Sequence, residues 1–106
     1  MDMTMDLTRI RKNIDDLDSM IITLLAKRSD FVSVAGRLKK SEEGVRDPRR
    51  VEPVIERVRA KAIEKGLDPE IAERTHRTII ACFIDKELRE LNKEKRSVMQ
   101  GTGGLS

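Results

Sequence analysis

Between Asp6 and Lys40, apolar residues recur at alternating steps of three and four: Leu7, Ile10, Ile14, Leu17, Ile21, Leu24, Phe31, Ala35 and Leu38. Such steps return to one face of a helix, because side chains three and four apart stack on the same side of a 3.6-residue turn. The stretch holds no proline, and no glycine precedes Gly36. The pattern therefore predicts a single amphipathic helix, roughly 50 Å long. One slot of the series is polar: between Leu24 and Phe31 stands Arg28.

The periodicity breaks at "KKSEEGVRDPRRVEPV", Lys39 to Val54, a charged joint with a glycine and two prolines. Asp47-Pro48 supplies an N-cap and a residue suited to the first helical position, so a second helix opens there. Its apolar face is Val51, Val54, Ile55, Val58 and Ala62, and Gly66 ends it as a left-handed C-cap. Asp68-Pro69 repeats the opening signal. A third helix follows to about Glu94, with Ile80, Phe83, Ile84, Leu88 and Leu91 facing inward. The tail "KEKRSVMQGTGGLS" lacks periodicity and is expected to be disordered. The expected organisation is an N-terminal extension at 1–6, one helical domain at 7–94 and a tail at 95–106.

The fold class is thus all-α, with one long and two shorter helices. One long helix followed by two short ones leaves its own seam uncovered. Two copies would cover each other, so an intertwined helical homodimer is expected, with the long helices packed across a two-fold axis. Composition agrees. Only 2% of residues are aromatic and 39% are charged, so the core must be aliphatic, as in helical bundles. The net charge of +3 is too small an excess to argue for a polyanion partner. Cys82 is the one cysteine, set among apolar neighbours, and reads as a reduced core thiol. No secretory h-region opens the chain and no apolar run is long enough for a membrane span. These features point to the cytoplasm.

Three polar residues occupy apolar stripes or their extension. Arg28 reads either as paired with an acid on another helix, as a side chain snorkelling at the edge of the stripe, or as facing an anionic ligand in a cavity. Lys39 lies eleven residues further, which returns to nearly the same face about 16 Å along the axis. The two cations could therefore converge on one ligand. Arg11 faces elsewhere, about 25 Å before Arg28; alone it reads as a solvated charge, and in an antiparallel dimer it could reach the partner's site. On the third helix His76, Ile80, Phe83, Glu87 and Leu91 follow steps of four, three, four and four. Glu87 interrupts that stripe, either as a neutral hydrogen-bond donor or as the ion-pair partner of Arg28 or Lys39. His76 has no second ligand at metal spacing and is assigned no chemistry; no metal or cofactor is expected. No phosphate loop or nucleophile–base pair stands out.

Taken in order, Arg11 followed by "IDDLD", "LLAKR" with Arg28, Lys39, "VRDPRRV", "GLDP" and "IIACFIDKEL" resemble the all-helical chorismate mutases over about residues 7–91. The resemblance implies an intertwined helical dimer that converts chorismate to prephenate by a Claisen rearrangement. It implies that Arg28 and the Arg11 of a second copy bind the two carboxylates, and that Lys39 contacts the ether oxygen and a carboxylate. Arg50 takes the place of another site arginine, and the Asp47 backbone lines the ring pocket. Glu87 falls where the family carries Gln or Glu as second donor to the ether oxygen. Val51 and Phe83 are counted among the substrate contacts. A pericyclic reaction needs no nucleophile, only a site that holds the reactive conformer and stabilises charge growing on the ether oxygen.

Val51 departs from the mutase pattern, which usually has Glu there for the ring hydroxyl. The isochorismate-pyruvate lyases, of the same fold, also carry Val, although usually with Gln at the position of Glu87. Relatives acting on 4-amino-4-deoxychorismate share the apolar residue. The expected partner is thus a small dianion, chorismate or isochorismate, with the mutase reading first. A helical nucleic-acid-binding or adaptor module is the non-enzymatic alternative. It rests on Lys39, Lys40, Arg46, Arg49 and Arg50, but stacking aromatics are lacking and four acids dilute the charge. The joint reads instead as a lid over a small dianion.

Overall fold

The computed structural model describes residues 6–39 and 41–105, with side chains through Ser97. The elements are α1 (Leu7–Leu38), α2 (Glu42–Val45), α3 (Pro48–Glu64) and α4 (Pro69–Leu105), with no strand among the described residues. The all-α class stands. The chain divides into two compact units between Phe31 and Val32, within α1. The N-terminal extension lies largely outside the described residues, as does Lys40.

In the first unit the Asp6 carboxylate accepts the Arg9 N–H at 2.9 Å, which caps the orphan donors of the first turn. From there the apolar stripe runs as predicted and stays largely exposed. Leu7, Ile10, Ile14, Leu17, Ile21 and Leu24 are each between 41% and 61% exposed, and α1 holds no buried residue.

The second unit has the chain's core. Asp47 caps α3 by accepting the Arg49 N–H at 3.1 Å, with Pro48 at the start. Pro53 lies inside α3 and forgoes the bond to the Arg49 carbonyl. Gly66 ends α3 at φ +76°, where the Leu67 N–H reaches Ala62 at 2.8 Å and the Gly66 N–H reaches Ile63 at 3.1 Å. This pair of bonds satisfies the last carbonyls, and glycine bears the left-handed conformation without a Cβ clash. Asp68 then accepts the Glu70 N–H at 2.9 Å and α4 begins at Pro69. Both capping signals therefore act as predicted.

The two helices pack as an antiparallel pair. Ile55, Ala62 and Leu91 are buried, while Val51, Val54, Val58, Ile80, Phe83, Ile84 and Leu88 are half-buried. A chain of ion pairs spans the pair's flank. Arg59 holds Glu70 at 2.9 Å and Glu73 at 2.7 Å, and Arg77 holds Glu73 through Nε at 2.8 Å and Glu52 through its two terminal nitrogens at 3.0 Å each. Hydrogen bonds from Arg77, and secondarily from Arg59, hold the Glu73 carboxyl below its ordinary range, and Arg77 does the same for Glu52.

Four expectations are corrected. The lengths are not one long and two short: α1 has 32 residues, α3 has 17 and α4 has 37. Helix α4 does not stop at Glu94, because Asn92 to Gln100 contain neither proline nor glycine and are rich in Lys, Glu and Arg, which favour helix without needing a packed face. The joint where the periodicity breaks is not without helix; it contains the one-turn α2, and Gly66 alone of the described residues has positive φ. Cys82 is exposed, not buried, since it shares the outer face of α4 with Asp85 and Arg89.

Candidate functional site

The second unit brings together two residues that sequence spacing singled out. The backbone N–H of Lys39 is shared by the Ala35 and Gly36 carbonyls at 3.2 Å each, as is common where a helix ends. Its side chain turns to α4 and places Nζ 3.4 Å from Oε2 of Glu87. Glu87 is 7% exposed and is the buried charged residue among those described; the Lys39 side chain is 39% exposed. A carboxylate so withdrawn from water needs a cation or donor beside it. The apolar stripe of α4 carries Glu87 inward, beside Gly36: a Cβ there would meet Oε2 at an ordinary contact distance of 3.6 Å.

The joint holds Lys39 from the other side. Ser41 caps α2 by accepting the Gly44 N–H at 3.1 Å. Val45, 6% exposed, is the buried residue of α2, and α2 packs on α4. The Gly44 backbone comes close to the Lys39 stem, so that a Cβ there would lie 3.5 Å from Lys39 Cβ. Arg46 pairs with Glu42 at 3.2 Å. Asp47 accepts from Arg49 Nε at 3.2 Å, and these Arg49 hydrogen bonds, with a smaller contribution from the charge of Lys39, hold its carboxyl below the ordinary range.

Arg50 projects from the first turn of α3 and is exposed, with its N–H on the Asp47 carbonyl at 3.2 Å. Val51 and Phe83 are half-buried. None of these three lines the cleft beside Glu87. That cleft, about 380 Å³, is walled by Ser33, Gly36 and Arg37 of α1 and by Glu87, Glu90, Leu91 and Glu94 of α4. Three carboxylates against one arginine make it a poor receptacle for a dianion. The Lys39 side of Glu87, bordered by α2 and Asp47, is the better candidate. In the first unit Arg11 is exposed and Arg28 half-buried. His76 is half-buried on α4.

Sequence spacing missed a second polar cluster. Lys86 Nζ donates to Ser33 Oγ at 2.7 Å and pairs with Glu90, while the Ser33 hydroxyl donates to Glu90 at 3.4 Å. The signal available was the i, i+4 pair Lys86–Glu90 flanking Glu87, which reads on its own as a solvated surface pair.

The family model described as chorismate mutase type II matches residues 10–88. The isochorismate pyruvate lyase of Pseudomonas aeruginosa (strain PAO1) is 34% identical over 83 residues, covering 78% of this chain and 82% of the relative.

Proposed function

The chain belongs to the chorismate mutase type II family, and on that premise we propose that it is a pericyclic enzyme converting chorismate to prephenate. The observation that carries the proposal is the Lys39–Glu87 pair, a cation 3.4 Å from a carboxyl withdrawn from water. In the rearrangement the ether C–O bond breaks as a C–C bond forms within one molecule, and negative charge grows on the ether oxygen. Lys39 would meet that charge directly. Glu87 would hold Lys39 in place for that contact. Fixed donors in a site shielded from water stabilise such charge without having to reorganise.

Arg28 and the Arg11 of a second copy are proposed to take the substrate carboxylates, with Arg50, the Asp47 backbone, Val51 and Phe83 around the ring. This requires a homodimer. Its support is the apolar stripe of α1, six large side chains about half exposed, which a second copy would cover. Arg46 and Arg49 are tied to neighbouring carboxylates, which removes much of the charge a nucleic-acid-binding joint would need.

A second reading, isochorismate-pyruvate lyase, is favoured by Val51 and by the 34% identical relative. There a ring hydrogen passes to the enolpyruvyl group as the C–O bond breaks, and salicylate and pyruvate leave. Both readings use the same charges. Incubation of the pure protein with chorismate, isochorismate and 4-amino-4-deoxychorismate separately, with the products identified, decides among them. Prephenate from chorismate upholds the first reading, and salicylate from isochorismate alone replaces it with the second. No turnover of any of the three refutes both.

A further inference from the structure

We propose that Val45 is a positioning residue: by seating α2 on α4 it fixes Lys39 against Glu87, and so sets the cation that the reaction uses. The inference rests on the reading of Lys39 given above. Lys39 itself follows the last residue of α1, where a long flexible side chain would ordinarily sample many rotamers in water. Three contacts restrict it. Its backbone N–H is held by Ala35 and Gly36. Its stem lies along the Gly44 backbone, close enough that a Cβ at Gly44 would touch Lys39 Cβ and Cγ at 3.5 and 3.8 Å. Its Nζ meets Glu87.

The middle contact depends on where α2 sits, and one turn of helix has no intrinsic stability of its own. The Ser41 cap and the Arg46–Glu42 pair are internal to the joint or exposed, so neither ties it to the rest of the unit. Val45 does. It is 6% exposed, the other buried apolar residues among those described being Ile55, Ala62 and Leu91, and it belongs to the element that packs on α4, the helix that carries Glu87. The path is short: α2 on α4 with Val45 as its buried residue, Gly44 next to Val45, the Lys39 stem on Gly44, and Nζ at Glu87. With Val45 unseated, the joint would be competent only for the fraction of time α2 is docked, and apparent affinity would fall by that fraction.

Val45→Asp places a charge on this seat. Two measurements test the inference. The first needs no activity: the Lys39–Glu87 coupling, read from urea unfolding of the single and double variants, is expected to drop from about tenfold in the unfolding constant to under about twofold in the Val45→Asp background. The second follows turnover. The kcat/KM for the substrate the wild type accepts falls at least about tenfold, most of it in KM, and Val45→Ile restores it. If Val45→Asp does not fold, Val45→Ala replaces it, with the coupling reduced at least about threefold. An unchanged coupling, or unchanged kcat/KM in a folded variant, overturns the inference. A wild type that turns over nothing refutes the function proposed above instead, and the coupling still decides the role of Val45.

Discussion

Replacing Lys39 with methionine strips the Glu87 carboxylate of a cation that stands 3.4 Å away, while keeping most of the stem's apolar volume. At an effective dielectric of about 20 the bare attraction is roughly 5 kcal/mol, most of it offset by the desolvation of both ions. Removing one member of a fully buried pair costs about 3–5 kcal/mol. Here Glu87 is 7% exposed but the Lys39 side chain is 39% exposed, so solvent screening brings the expected loss to about 2 kcal/mol. Glu87→Gln keeps an acceptor for Lys39 and should cost only about 0.5 kcal/mol. The double variant has no stranded charge and should lose about 1 kcal/mol, less than the sum of the singles by about 1.5 kcal/mol. Urea denaturation at pH 7, at one fixed protein concentration because association would shift the midpoint, measures all four corners of the cycle. A Lys39→Met cost below about 0.5 kcal/mol, or strict additivity, would refute the picture of a buried carboxylate depending on Lys39.

Gly36→Ala should stabilise by about 0.5–1 kcal/mol, because the added methyl meets Glu87 at ordinary contact distance and helix propensity improves. Gly66→Ala should destabilise by about 1 kcal/mol, because φ is +76° although space is open; thermal melts of the two variants should move in opposite directions. The lowered Glu73 carboxyl stabilises the fold above its unfolded value of 4.5, and that contribution is lost as pH falls through the lower folded value. Glu73→Gln should therefore weaken the protein at pH 7 and flatten the loss of stability below pH 4.5, read from melts across pH. Leu17 is 56% exposed, so burial of that exposed part against a second copy is worth about 1 kcal/mol per chain. Leu17→Ser should then weaken the dimer roughly 30-fold in sedimentation dilution series, and a wild type sedimenting as a single chain would remove the dimer from the proposal.

Features encoded within a few residues were legible. Asp47-Pro48, Asp68-Pro69 and Gly66 act through bonds to backbone groups two to five residues away, so their types nearly determine their geometry. The stripe of α4 also announced Glu87, because a carboxyl at an apolar position needs a partner. The partner itself was open between Arg28 and Lys39, and the structure supplies the Lys39 contact. What sequence did not reveal depends on packing without a repeat. Val45 stands isolated among the charged residues between Leu38 and Val51, too little to set a period. Cys82 reads as buried from its neighbours, yet the 100° step turns it outward. The far end of α4 has good helix formers and no stripe, so periodicity is silent where propensity is not.

The capped turn at Gly66 also bears on the order in which the chain gains structure. It joins α3 and α4 through a few residues whose backbone bonds are all local, and a loop of that size closes in about 10–100 ns. The ion pairs from Arg59 and Arg77 then form between residues at most 25 apart. We expect this hairpin to be the nucleus, so that Gly66→Ala slows refolding in stopped-flow measurements by nearly its full equilibrium cost. A substitution on the exposed stripe of α1 would instead leave the refolding rate alone. The chain would thus commit to its helical hairpin before the exposed stripe of α1 takes any part in folding.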